Sequence, residues 1–180
     1  MLYQERDEQQ RQEFEQSLSE FDETQLVWVD ECGLNQELIR PYGRCPRHQR
    51  LYGECSGHRV SPRISMISAY CNGSLCAPFR FDGYTDSQVF NLWLEQCLLP
   101  ELKPGQVVIL DNATFHKSAK TQHLLASVEC QLLFLPPYSP DLNKIEPQWA
   151  ILKQGVRSNP DSDLTLYQKL DLQLMKMSEP

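Results

Sequence analysis

Apolar residues along the chain fall into continuous runs and into spaced, helix-like patterns. Continuous apolar runs bounded by acids, glycines or prolines are typical of buried strands. The residues between the second and third runs include Asn72–Gly73, a strong signal for a hairpin turn. Five strands are therefore predicted: LVWVDECG (26–33), RISMISAYC (63–71), CAPFRF (76–81), VVIL (107–110) and LLFL (132–135).

Spaced apolar positions predict the helices. Residues 86–99 carry apolar side chains at intervals of three and four, which indicates one amphipathic helix. Similar patterns predict helices at 117–127 and 147–156. The charged, Gln-rich residues 1–20 are predicted to form a solvent-facing helix or lead-in, and residues 40–62, which mix Pro, Gly, Arg and Cys, an irregular or hairpin segment.

The order of these elements indicates the fold class. Strands that include a hairpin come first, and helix and strand then alternate, which predicts an α/β fold with a mixed sheet. The first and fourth strands are apolar on both faces, as expected of central parallel strands covered by helices. A length of 180 residues suits one domain. We place that domain at residues 25–157, after an acidic segment at 1–24 and before a variable tail at 158–180.

The formal net charge of −7 is unevenly distributed. Residues 1–24 hold eight of the 24 acids and only two bases. Residues 40–63 instead hold six arginines against one acid, Glu54. This basic strip has the electrostatic character expected for phosphate contacts, although a solvated arginine-rich loop would have the same composition. Its candidate DNA contacts are Arg44, Arg47 and Arg50.

Composition excludes several protein classes. No apolar run reaches the roughly 18–20 residues of a membrane span, and the polar first residues are unlike a signal peptide. Seven scattered cysteines, an odd number, predict reduced thiols rather than a disulfide framework. The sequence therefore predicts a soluble cytoplasmic protein with no membrane partner.

Three acids stand at the ends of predicted elements. Asp30 closes the first strand and Asp111 the fourth, where a parallel sheet delivers side chains into a ligand crevice. Glu146 lies at the start of the last helix, before Pro147, which suits a first helical turn. Each acid alone could simply cap a loop or a helix. Together, at about 4 Å, each pair would repel by roughly 4 kcal/mol, so a cluster of all three would require hard divalent cations.

Three sequence blocks carry a family resemblance: VDECG around Asp30, VVILDNATFHKS around Asp111, and LLFLPPYSPDLNKIEPQW, which contains Glu146. In order and spacing, over residues 3–156, they resemble the signature blocks of DDE transposases, specifically the mariner-like transposases of bacterial insertion sequences. The resemblance implies an RNase H-like fold and a site for Mg²⁺ or Mn²⁺, with two ions held by the three acids. It also implies cleavage of element-end DNA followed by strand transfer to target DNA.

Residues near the acids are candidates for supporting roles. Asn112 could orient Asp111, contact substrate or simply form a turn. His116 could contact a phosphate or the nucleophile, or be a structural histidine, and Lys117 could contact a phosphate or be solvated. Asn143 can bond to the backbone at the start of the last helix.

Two further expectations concern the third sequence block. Its prolines and Tyr138 are predicted to form a rigid loop that fixes the approach to Glu146. Trp149, three residues after Glu146, is expected to pack in the core.

The chain also departs from the family pattern. Similar transposases carry a helix-turn-helix region that binds the element ends, and nothing like it precedes Asp30. We expect that part to be separate or fused by frameshifting, and the active unit could be a homodimer. The residues after Val156 lack the basic helix of similar proteins. An inactive remnant that binds DNA or protein, and a general RNase H-like nuclease, are the alternative interpretations.

Four residues of the basic strip form two C-x-x-H pairs: Cys45, His48, Cys55 and His58. Two thiolates and two imidazoles can bind tetrahedral zinc. The gap between the pairs is short for common zinc fingers, and similar transposases usually need no metal in this stretch. We therefore predict a basic loop without zinc.

Overall fold

The computed structural model describes residues 6–34, 46–48, 63–159, 161 and 163–178. Its centre is a five-stranded sheet with the strand order β3-β2-β1-β4-β5. β1 pairs with β2, and β2 with β3, in antiparallel fashion, whereas β1–β4 and β4–β5 are parallel. The predicted mixed sheet is confirmed. The strands are β1 (Leu26–Leu34), β2 (Ile64–Cys71), β3 (Ser74–Asp82), β4 (Val107–Leu110) and β5 (Gln131–Phe134).

The β2–β3 hairpin has the turn that its sequence predicts. Asn72 and Gly73 both have positive φ angles, 52° and 82°. Two successive residues with positive φ match the twist of antiparallel strands, and Asn-Gly adopts this conformation at low cost. Cys71 and Ser74 therefore pair directly across the turn.

Five α-helices surround the sheet in the described part of the chain: α1 (Glu8–Leu18), α2 (Ser87–Trp93), α3 (Ala119–Ser127), α4 (Glu146–Ser158) and α5 (Leu166–Ser178). The single helix predicted at 86–99 is wrong in its second half. The chain leaves α2 as a π-helical turn, Leu94–Leu98, and a 3₁₀ turn, Leu99–Glu101. Pro100 lies in the last turn and has no N–H with which to extend the α-helix. No helix in the described ranges combines the length and the apolar character that a bilayer span requires.

Helices cover both faces of the sheet, as the two-sided apolar strands predicted. Successive strand side chains point to opposite faces. Trp28 of β1 accordingly packs in one core with residues of α1, α4 and α5. Val27 and Val29 pack in the other core with residues of α2 and α3. β4 divides in the same way, with Ile109 in the first core and Val108 in the second.

The two ends of the described chain pack on this framework. α1 is not simply solvent-facing, because Phe14 is buried in the first core and Arg11 is only 6% exposed. Near the other end, Leu166 and Leu170 of α5 join the same core. Gly155 of α4 lies so close to α5 that a Cβ there would meet the side chain of Gln173. The division into segments 1–24, 25–157 and 158–180 stays a prediction.

Candidate active site

A cleft of about 240 Å³ lies beside the ends of the parallel strands. Asp30, Asp111 and Glu146 all line it, so the fold brings together three acids from separate sequence blocks. The loop after β5 supplies the opposite wall. In the described ranges, no three His, Cys, Asp or Glu side chains are grouped closely enough to hold a metal ion. The other lining residues are Asn112, Ala113, Leu135, Pro136, Pro137, Tyr138, Ser139, Pro140 and Asn143.

Asp30 lies in the middle of β1, not at its end as predicted. Its strand pairs with β4 only over Leu26–Trp28 and continues to Leu34 because β2 supports it on the other side. Asp30 therefore stands just beyond the parallel pairing, opposite Ser68 of β2. Asp111 directly follows the last residue of β4. Both aspartates consequently face the crevice that the parallel strands were expected to form.

Asp30 is bound by a residue of α4. Its Oδ2 accepts a hydrogen bond of 3.0 Å from the indole Nε1 of Trp149. Burial, followed by the negative charges of Glu31 and Glu146, raises the pKa of Asp30 to about 7. Trp149 is buried in the core as predicted, but its contact with Asp30 was not foreseen. Negative charge thus accumulates around a carboxyl group that is mostly removed from water.

The pKa of Asp111 is shifted in the opposite direction from that of Asp30. Its Oδ1 lies 2.9 Å from the backbone N of Ala113 and 2.7 Å from Nδ1 of His116. Burial alone would raise the pKa of Asp111, but these hydrogen bonds and the charges of His116 and Lys117 hold it below its usual value. Asp111 is therefore ionised at neutral pH.

His116 is completely buried, and carboxylates bind both of its ring nitrogens. Nδ1 contacts Asp111, and Nε2 lies 3.0 Å from Oε1 of Glu31. Burial lowers the pKa of His116, but the two carboxylates outweigh burial and raise it to about 9. With no exposed surface, the ring is not available to a DNA phosphate. Of the two roles considered for His116, the structure favours the structural one.

Glu146 is the first residue of α4, one residue earlier than the predicted start, and it is exposed. A carboxylate in the first turn is favoured by the helix dipole. The Oδ1 atom of Asn143 accepts a long hydrogen bond, 3.5 Å, from the backbone N of Ile145. This is the contact predicted for Asn143 at the beginning of the helix.

The loop between β5 and α4 is held at both of its ends. At its start, the side-chain amide of Asn112 donates to the carbonyl of Leu135. Farther along, Asp141 accepts two hydrogen bonds from Arg11 of α1, of 3.0 and 2.7 Å. Between them, Tyr138 has a φ of +54° and is 53% exposed. Asn112 therefore links β4 to the loop while it lines the cleft.

The remaining candidates are only partly described. Lys117 is exposed, with its ammonium 5.5 Å from the ring centre of Phe134. Arg47 is also exposed. Arg44 and Arg50 lie outside the described residues, as do Cys45, Cys55 and His58 of the two C-x-x-H pairs. The predictions for the basic strip and for zinc thus stay untested.

The sequence of residues 25–165 matches the family described as DDE superfamily endonuclease. This match covers well over half of the chain. The chain belongs to the DDE superfamily endonucleases. No curated protein sequence matches it significantly.

Solved structures share the fold of this DDE superfamily endonuclease. The Mos1 transposase paired-end complex with the left transposon end matches with a TM-score of 0.75 and 14% identity, over 100% of this chain and 58% of that chain. The catalytic domain of Mos1 mariner transposase matches with a TM-score of 0.64 and 13% identity, over 100% and 85% of the two chains. A simian T-cell lymphotropic virus intasome matches with a TM-score of 0.56 and 16% identity, over 85% and 48%.

Because these sequence identities are low, the structural similarity establishes the RNase H-like fold alone. The chain spans less than two thirds of the Mos1 protein in the paired-end complex.

The cleft of this DDE superfamily endonuclease presents oxygen donors. Besides the three carboxylates, it offers the side chains of Asn112, Ser139 and Asn143. No Cys or His of the described part of the chain lines it. Such donors suit Mg²⁺ or Mn²⁺ better than a softer metal. Burial is the main cause of the raised pKa of Asp30, and the negative charges of Glu31 and Glu146 add to it; a cation in the cleft would offset these charges.

Proposed function

We propose that this chain is the catalytic domain of a DNA transposase from a bacterial insertion sequence. Its reaction is cleavage of phosphodiesters at the element ends, followed by transfer of the freed 3′ end to target DNA. The single observation that carries the proposal is the shared cleft of Asp30, Asp111 and Glu146. Membership of the DDE superfamily endonucleases and the Mos1-like fold support it.

We infer that the three carboxylates hold Mg²⁺ or Mn²⁺, as two ions. The oxygen-lined cleft supports this inference, as do Mos1 structures described as containing Mg or Mn. When bound, such ions activate an attacking water or 3′-hydroxyl and stabilise the leaving oxygen. A resident zinc ion is not part of the proposal.

The side chains of the site have separate tasks in this proposal. Asp111 is kept ionised by its two N–H donors, so it is ready to bind a cation at neutral pH. Asp30 is oriented by the indole N–H of Trp149. Glu146 projects from the first turn of α4, and the loop anchored by Asn112 forms the facing wall.

The proposed partner is DNA, as element ends and as target. Mos1 structures with transposon-end DNA support this choice. Arg44, Arg47, Arg50 and Lys117 are the proposed phosphate contacts. Recognition of the ends would come from an upstream helix-turn-helix part, separate or fused by frameshifting, in an assembly that could be a homodimer. The protein would then act at the nucleoid, in the cytoplasm.

A cleavage assay tests this proposal. The protein, supplied together with its upstream region, is incubated with element-end DNA and Mg²⁺ or Mn²⁺. Asp111→Asn should lose more than about 100-fold in rate, beyond the 10–100-fold typical of residues that only support metal ligands. The matched control is Asp171→Asn on α5, which should cleave normally because Asp171 pairs with Arg80 outside the cleft.

Two results would overturn the proposal. Cleavage by Asp111→Asn at the wild-type rate would show that Asp111 is not part of the catalytic site. Cleavage of RNA–DNA hybrids in preference to element ends would identify a general RNase H-like nuclease.

A further inference from the structure

A set of hydrogen bonds centred on the buried ring of His116 joins β1 to Asp111, the cleft residue that directly follows β4. It comprises Glu31, His116 and Asp111. Nε2 of His116 lies 3.0 Å from Oε1 of Glu31, and Nδ1 lies 2.7 Å from Oδ1 of Asp111. His116 is 0% exposed and the side chain of Glu31 is 17% exposed. Solvent therefore competes little for the contact between His116 and Glu31, whereas the side chain of Asp111 is 47% exposed and lines the cleft.

We propose that Glu31 and His116 are positioning residues for Asp111. The inference rests on the proposed function, in which Asp111 holds a cation. Both His116 and the backbone N of Ala113 bind the same oxygen, Oδ1 of Asp111. Two donors on one oxygen fix the rotation of the carboxylate, so its Oδ2 keeps a defined direction for a cation.

Glu31 is needed because a histidine held at one nitrogen alone can still tilt. Histidines that ligate metal ions are commonly oriented by a carboxylate at the second ring nitrogen, and the same kind of contact can orient a histidine that holds a metal-binding carboxylate. Here that carboxylate comes from the neighbour of Asp30, on the opposite face of β1. β1 thus carries Asp30 on one face, and Glu31 on the other face positions Asp111 through His116.

Two aromatic rings pack against the imidazole ring of His116 and limit its orientation. Its centroid lies 4.4 Å from that of Phe90 and 4.3 Å from that of Phe115. These aromatic rings restrict the imidazole plane. Packing alone would be satisfied by an apolar side chain, and it would not account for two carboxylates placed at hydrogen-bonding distance from a buried ring.

The turn that carries His116, Thr114–Lys117, is followed by a separate polar network. Ser118 caps α3 by accepting from the backbone N of Thr121. The amide of Asn91 on α2 donates to Ser118 and accepts from the hydroxyl of Thr121. Asn91 and Thr121 are both buried. The position of His116 is therefore fixed by α2 and α3 as well as by its own bonds.

Manganese titration of the purified chain, followed by the EPR signal of free Mn²⁺, tests the proposal. Glu31→Gln keeps the shape of the side chain but weakens its hold on His116. His116→Asn keeps a short polar group beside Asp111 but cannot reach Glu31. Each variant should raise the half-saturating Mn²⁺ concentration by about 10-fold or more. His123→Asn on the exposed surface of α3 is the matched control and should bind as wild type.

The same variants are tested for DNA cleavage over a range of Mn²⁺ concentrations. A positioning role predicts that high Mn²⁺ partly restores the rate, which a loss of structure would not allow. If either variant folds and binds Mn²⁺ as wild type does, Glu31 and His116 do not position Asp111. If both variants unfold, their role is stability and the inference is overturned. A wild-type chain that binds no Mn²⁺ would instead overturn the proposed function itself.

Discussion

The indole nitrogen of Trp149 donates to Oδ2 of Asp30 over 3.0 Å, which ties α4 to the middle of β1. Glu146 begins the same helix, and residues three apart on a helix lie on nearly the same face. One helix therefore supplies one acid of the cleft and orients another. The relative position of Asp30 and Glu146 depends on this single rigid element.

Trp149→Phe should separate this contact from core packing. Phenylalanine fills most of the indole volume but has no N–H, so the buried Oδ2 of Asp30 loses its donor. We expect the free energy of unfolding to fall by about 1–3 kcal/mol and DNA cleavage to fall by about 10-fold or more. Chemical denaturation and cleavage rates at fixed Mn²⁺ measure the two effects.

Trp93→Phe is the matched control for that experiment. Trp93 is also fully buried, and its Nε1 donates to the carbonyl of Ala77 over 2.8 Å, on the other face of the sheet. The Trp93→Phe variant should lose as much stability as Trp149→Phe but keep the wild-type cleavage rate. Equal cleavage by the two variants would show that the Trp149–Asp30 bond has no functional role.

The pKa of Asp30, raised to about 7, predicts a pH dependence of the metal-free protein. Because the folded state favours the protonated acid, this contribution to stability is fully present below about pH 4 and is lost as the pH rises through 7. The raised pKa corresponds to about 4 kcal/mol at most. Urea unfolding between pH 4 and 8 should show this loss in the wild type and a smaller one in Asp30→Asn.

The affinity of the protein for Mn²⁺ should depend on pH in the opposite direction. A cation binds the ionised carboxylate, so its affinity should rise with pH up to about 7 and then level off. Parallel pH profiles of wild type and Asp30→Asn without metal, or Mn²⁺ affinity that is the same at pH 5.5 and 7.5, would contradict the electrostatic description of Asp30.

The Arg11–Asp141 pair links α1 to the wall of the cleft. The side chain of Arg11 is 7% exposed, that of Asp141 is 54% exposed, and two hydrogen bonds join them. Because one partner is largely solvated, we expect Arg11→Met to cost only about 1 kcal/mol. Chemical denaturation should show that the charge-swapped double variant, Arg11→Asp with Asp141→Arg, recovers part of the loss.

The Lys120–Glu95 pair provides the comparison for Arg11. Both of its side chains are at least half exposed, so Lys120→Met should change stability less than Arg11→Met does. Additive effects in the Arg11–Asp141 double-mutant cycle would show that the two residues do not interact in solution.

Much of the sheet follows from local sequence. Val108 and Ile109 point to opposite faces and are both apolar, which identified β4 as a covered central strand. Asn72–Gly73 defined the hairpin. The third acid was placed at a helix start because Pro147 follows it. Each of these features depends on neighbours along the chain, where the pattern of residues carries the information.

Features set by distant partners were not predictable. Asp30 looked like the end of a strand because acids usually end apolar runs, but pairing with β2 extends β1 beyond it. The burial of Arg11 depends on Asp141, 130 residues away. The side on which Glu31 lies is an exception, because the strand pattern alone determines it. Because side chains alternate along a strand, Glu31 had to point away from Asp30, toward the face where His116 lies.

The most direct test is a crystal structure of the chain grown with Mn²⁺, with data collected at the manganese absorption edge. We expect anomalous density in the cleft, within about 2–2.5 Å of carboxylate oxygens from Asp30, Asp111 and Glu146. Manganese found only outside the cleft, or bound there without one of these three acids, would contradict it.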